Sequence, residues 1–241
     1  MKLWQPLEIF RQIEGIRPLL ASWESKKHPA QIRLQTYLDE VASALDPLPE
    51  ASTGLFLHLD VDVEEPERLS RHYDLENYLT PLVFRLGAQR FRLVSARKYV
   101  GDGSRLLVGS VQPLEFPDSE GWQQFSCDAG SGVQSKRWKR ELRESLAEAR
   151  PMPLPAGPVE VHLAWRCAPY PQRNWVSLWK PTGDAMGPVL GEPDPRNPFN
   201  PNDDRIVFLG LHLNADPKAG HMVDVTMCWR PVVGLKPDPP G

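Results

Sequence analysis

The chain has 241 residues, a formal net charge of −3, a hydrophobic fraction of 41% and eight Trp. That length fits one large or two small domains with a real core. Bulk basicity as a route to nucleic acid is excluded: residues 1–112 hold 14 Lys and Arg against 15 Asp and Glu, and residues 113–241 hold 14 against 16. Three widely spaced cysteines, Cys127, Cys167 and Cys228, form no Cys-x-x-Cys pair, which argues against zinc or a disulfide framework and for a reduced, cytoplasmic protein. The N-terminus lacks a signal pattern and no apolar run reaches the length of a membrane span, so no membrane partner is expected.

In chain order, residues 31–45 place Leu34, Leu38, Val41 and Leu45 at helical spacing. Residues 55–63 alternate. Leu55, Leu57, Leu59, Val61 and Val63 share one face, and Phe56, His58, Asp60 and Asp62 the other, as in a half-buried strand. Leu75, Tyr78, Leu79, Leu82, Val83 and Leu86 follow a 3.6-residue period, with Asp74 at the N-cap position and Gly87 at the C-terminal one. Pro81 inside that pattern predicts a kink or a helix that starts near it. Residues 90–98 and 106–111 read as a hairpin around Val100–Gly103.

The second half repeats this order of parts. A helix carries Trp138, Leu142, Leu146 and Ala149 and begins with the basic stretch Lys136, Arg137, Lys139 and Arg140. A strand carries Val159, Val161, Leu163 and Trp165. Lys180-Pro181 matches Thr80-Pro81, and Gly187 matches Gly87. Residues 205–213 and 221–229 give the second expected hairpin. A short Pro-Leu-Pro run precedes each first strand, at Pro47–Pro49 and Pro153–Pro155. The expected architecture is therefore α/β, two similar units of helix–strand–helix–strand–strand, at residues 1–112 and 113–230, with a mobile Pro-rich tail at 231–241. The loop 191–204 has no equivalent in the first half and reads as a stiff lid or grip.

Several groups can carry chemistry. Asp74 and Glu76, at a strand-to-helix junction, can converge on Mg²⁺, which needs only one or two carboxylates besides water and phosphate oxygens; an N-cap and a first-turn acid are the plainer alternative. Asp203 and Asp204, entering a strand, can bind a metal or form a solvated turn. Lys180 and Asp184 form an i,i+4 pair, whose ordinary meaning is a surface ion pair. His58 and His162 hold matching strand positions and read as sheet-face residues. Lys136, Arg137, Lys139 and Arg140 read as a phosphate-contacting helix or as a solvated face.

Tyr73-Asp74-Leu75-Glu76-Asn77-Tyr78-Leu79 resembles the first motif of the RusA-like Holliday-junction resolvases, Asp-x-Asp-Asn-x-x-Lys, with Glu76 for the second Asp and Thr80 where the Lys belongs. The family's later Asp-Asp, just before a strand that ends near a Lys, is Ala88-Gln89 in the first half. The second half is the reverse: Asn174, Val176 and Ser177 lack the first motif, while Lys180, Asp184 and Asp203-Asp204 keep the Lys, the following Asp and the Asp-Asp. The resemblance implies two RusA-like units fused into a single-chain pseudo-dimer, hence a monomer, where the family uses two chains to cut four-way DNA with Mg²⁺. One implied function is binding of branched or duplex DNA by degenerate sites without efficient cleavage. Another is a Mg²⁺-dependent endonuclease whose composite site pools Asp74, Glu76, Asp203 and Asp204 as metal ligands with Lys180 as the catalytic cation. A structural or assembly role is the third.

Overall fold

A computed structural model describes residues 2–21, 24–25, 27–48, 51, 53–69, 74–114, 121–128, 136–150, 152–168, 175–194 and 196–232. Tyr73, Asn174, Pro49, Pro195 and the tail from 233 onward lie outside the described residues.

The described chain builds one eight-stranded mixed sheet. Its strands are β1 (Leu3–Ile16), β2 (Leu55–Asp62), β3 (Phe91–Tyr99), β4 (Ser104–Leu114), β5 (Gln123–Asp128), β6 (Val159–Cys167), β7 (Ile206–Ala215) and β8 (Val223–Pro231). The helices are α1 (Pro29–Leu45), α2 (Leu75–Leu86), α3 (Lys136–Ala149), α4 (Trp179–Asp184) and α5 (Gly187–Leu190). The spatial order is β1-β4-β2-β3-β7-β6-β8-β5. Outward from the central antiparallel pair β3 and β7, the two sides run alike: a parallel neighbour (β2 or β6), an antiparallel one (β4 or β8), then an antiparallel edge strand (β1 or β5). The mixed α/β class is as expected, with a leading strand added to each half.

The two expected hairpins do not form. β2 lies between β3 and β4, and β6 between β7 and β8. The short link after β3 must therefore cross the end of β2, and Asp62 pins it there: its carboxylate accepts from the backbone N–H of Gly101 at 3.2 Å and of Gly103 at 2.8 Å. Glycine-rich turn chemistry signals a reversal but does not say which strand fills the gap.

Pro81 lies inside α2, so the helix starts a full turn before it. Proline has no N–H to offer the carbonyl of Asn77. That carbonyl accepts instead from the backbone N–H of Ala21 at 2.8 Å. In the second half Pro181 sits in the first turn of α4, where a missing N–H costs nothing, and a 3-10 turn at Trp175–Leu178 leads into it.

Side chains from all five helices join one continuous core with Leu57, Leu59, Val94, Ala96, Val161, Leu163, Leu209 and Leu211 of the sheet. β2 is buried on both faces, not half-buried. Phe56 packs with Leu93 and Val111 on the far face, and Asp60 is fully buried there among Arg97, Arg105 and His58. No helix among the described residues is long and apolar enough to cross a membrane.

Candidate functional site

The site lies where β3 ends and β7 begins. β3 faces the helix layer with Val94, Ala96 and Lys98, so Lys98 is a charge on a core-facing position, 3% exposed. Its Nζ donates to the backbone carbonyl of Asp204 at 2.7 Å. Asp203, Asp204 and Arg205 form a 3-10 turn leading into β7. Arg205 is buried and fixes that turn from below, donating to the carbonyls of Gly157 and Leu190, each at 2.8 Å, and to that of Pro155.

Asp74 stands at the N-cap position of α2 but its side chain caps no backbone N–H. It accepts from the Asn77 amide at 3.0 Å and lines one pocket with Asp203. Glu76, in the first turn of the helix, faces α4, with its carboxylate 3.6 Å from Lys180 Nζ. Lys180 also reaches Asp184 at 3.1 Å, and Lys139 meets Asp184 from α3 at 2.8 Å. Charges thus alternate along Glu76, Lys180, Asp184 and Lys139. A pocket is lined by Asp74, Glu76, Gly183 and Asp203 together with Val161, Leu163, Trp179 and Leu211.

Acids gathered beside apolar side chains resist ionisation. Burial, then the neighbouring Asp74 and Glu76, pushes the Asp203 carboxyl up to about 7. Burial and Asp204 raise Asp74, against the pull of Lys98 and Lys180. Burial raises Glu76 too, although Lys180 opposes it. Burial lowers Lys98 to about 8 despite the surrounding acids. For Lys180 burial acts downward, but Glu76 and Asp184 outweigh it and hold the ammonium above its ordinary value.

The structure therefore brings Asp74 and Glu76 of the first half to Asp203 and Lys180 of the second. Asp204 contributes its backbone carbonyl to Lys98. The basic helix start does not present one common face. Arg137 and Arg140 are exposed and paired with Glu141 and Glu144 one turn on, Lys139 turns inward to Asp184, and the Lys136 side chain lies outside the described residues. The described residues of the loop 191–204 before Asp203 do not line the acidic pocket. The loop is clamped to α3 through Arg143, which bonds Glu192 and the carbonyl of Pro198, and through Lys139 over the Phe199 ring. The Asn202 N–H closes its base on the carbonyl of Gly191 at 2.9 Å, which delivers Asp203 to the site. His58 and His162 are sheet-face residues as expected, bonded to Ser95 and Asp60 and to His212 and Glu160.

Lys98 is the member of this cluster that sequence reasoning did not single out. The signal was present: in an alternating strand it falls on the parity of Val94 and Ala96, where a lysine needs a reason.

Among the described residues no group of three or more His, Cys, Asp or Glu is arranged to hold a metal ion as it stands. The donor chemistry nonetheless fits a hard divalent cation: Asp74, Glu76 and Asp203 offer carboxylate oxygens and line one pocket. The chain matches no protein-family model and no curated protein.

Proposed function

We propose that this protein is a Mg²⁺-dependent endonuclease acting on branched or duplex DNA through one composite centre. The observation that carries the reading is the pocket that Asp74 and Glu76 of the first half line together with Asp203 of the second. Asp74, Glu76 and Asp203 would hold the ion, which when bound would polarise a scissile phosphate and acidify a water. Lys180, 63% exposed at its side chain, can reach from the acids to a phosphate in solvent and stabilise charge developing on it. Lys98 and Arg205 fix the turn that presents Asp203. Arg137 and Arg140, exposed on the neighbouring α3, supply local positive charge for a DNA backbone that the overall balance does not provide.

The mirrored strand order supports the further reading of two fused RusA-like units acting as an internal pseudo-dimer. A monomer follows from that reading, and three free thiols agree with a reducing cytoplasm.

The test is end-labelled four-way-junction DNA with Mg²⁺, comparing the native chain with Asp74→Asn and Asp203→Asn. Cleavage by the native chain, lost in both variants, supports the composite centre; an uncut junction at high protein overturns it. A second reading, binding of branched or duplex DNA without cutting, draws on Glu76 being held by Lys180 and on the absence of a ready three-ligand group among the described residues. A shift of labelled junction without cleavage is its signature.

A further inference from the structure

The central strand pair has two ends, and they are built from the same kinds of parts. At one end the 3-10 turn before β7 and the start of α2 line one pocket, through Asp203, Asp74 and Glu76. At the other end the 3-10 turn before β3, Ala88–Arg90, meets the start of the 3-10 segment Trp175–Leu178. Here the contact is the indole N–H of Trp175 donating to the carbonyl of Ala88 at 2.8 Å. The contact across the halves is reciprocal, but its chemistry is not.

Glu76, Lys98 and Asp203 at the first end have apolar counterparts at the second; Lys180 is matched by Thr80, and Asn174, the match of Asp74, lies outside the described residues. Ala88 opens its turn where Asp203 opens the other. Val176 follows Trp175 as Glu76 follows Leu75. Leu213 stands near the end of β7 as Lys98 stands near the end of β3. Ala88, Trp175, Val176 and Leu213 are all buried. Trp175 packs against Trp165 at 6.0 Å and Trp179 at 5.3 Å between ring centroids. A close-packed apolar cluster offers no oxygen to a hard cation and no path for a hydrated phosphate.

We infer that each chain carries a single reactive centre, so that a branched DNA engaged by it is nicked, not cut in paired strands. The inference rests on the phosphodiester-cleaving reading proposed above. In each event a water oxygen forms a new bond to phosphorus and one bridging P–O bond breaks. One water proton goes to the departing oxygen, leaving a phosphate on one chain end and a hydroxyl on the other. The second strand of the junction then waits for a separate encounter.

Two measurements test it on the full chain at a concentration where sedimentation gives a monomer. A supercoiled plasmid bearing an extruded inverted repeat, treated with Mg²⁺ in single turnover, should give nicked circles first, with linear DNA trailing. Linear DNA appearing without a nicked precursor overturns the single-centre inference and leaves the nuclease reading standing. Mn²⁺ bound to the protein, counted by electron paramagnetic resonance without DNA, should vanish in Asp203→Asn while circular dichroism shows the fold retained. Retention of about half the bound Mn²⁺ in that variant would locate a second centre and overturn the inference. Neither cleavage nor Mn²⁺ binding in the native chain would overturn the nuclease reading itself, and this inference with it.

Discussion

Lys98 Nζ donates to the backbone carbonyl of Asp204 at 2.7 Å, which ties the last core-facing position of β3 to the turn that starts β7. One lysine of the first half thereby positions the acids of the second. Its ammonium is almost wholly shielded from water, so the bond is charge-assisted and the lysine has little freedom to go elsewhere.

Lys98→Met keeps the length of the side chain and removes the donor. The orphaned carbonyl costs about 1–3 kcal/mol, partly offset by relief of a buried charge. Activity on junction DNA should fall by roughly 10- to 100-fold through misplacement of Asp203, mostly in kcat. A denaturation midpoint together with steady-state rates checks both, and an unchanged kcat would remove Lys98 from the site.

Asp203 carries a pH signature whose sign is fixed by its raised pKa. At low pH the folded and unfolded chains both hold the proton. As pH rises above the ordinary carboxylate range the unfolded chain releases it while the folded chain keeps it, so stability falls until pH passes about 7. Asp203→Asn removes that penalty. In metal-free buffer at pH 8 the variant should be more stable by on the order of 2 kcal/mol, about 4–8 °C in melting temperature. At pH 4 the two should melt alike. A variant less stable at pH 8 would mean the acids do not repel.

Asp60 has the opposite sign. Burial would raise its pKa, but hydrogen bonds from His58, Arg105 and Arg97 outweigh it and hold the carboxyl well below its ordinary value. The stability it contributes is present above the unfolded carboxylate pKa and is lost only as pH falls through the depressed folded value. Asp60→Asn should cost about 2–3 kcal/mol at pH 7, the two arginines being able to turn partly to solvent. The difference from the native chain should shrink in acid, as urea midpoints at pH 7 and pH 3 would report.

These residues also mark how far the sequence could be read. The 3.6-residue period of α2 was legible because it buries one regular stripe, and the alternation of β2 because its helix-facing side is uniformly apolar, although the other side is buried too. β1 was not, because three irregularities in its pairing with β4, between Pro6 and Glu8, Ile9 and Arg11, and Glu14 and Ile16, break the two-residue period. β5 is short and polar, an edge strand with little to signal it. The acids Asp74, Glu76 and Asp203 were visible as candidates, but their meeting was not, since it depends on β3 and β7 pairing across the halves. The partner of Lys98 is a backbone carbonyl, which no side-chain motif encodes.

That central pairing depends on Gly210. It lies opposite Ser95 at the seam, and a Cβ there would sit 2.5 Å from His162 Nδ1 and 3.1 Å from His212 Nε2. Gly210→Ala should therefore destabilise the chain by about 1–3 kcal/mol. A melting temperature equal to the native one would show that the two histidines yield freely.

The composite centre is tested most directly by titrating Asp203 itself. Side-chain carboxyl carbon shifts, followed by nuclear magnetic resonance in metal-free buffer, should place its titration near 7 in the native chain. In Asp74→Asn the carboxylate's repulsion is gone, and the midpoint should move down toward the ordinary carboxylate range. An Asp203 that titrates as an ordinary acid in both proteins would contradict the meeting of the two halves at this site.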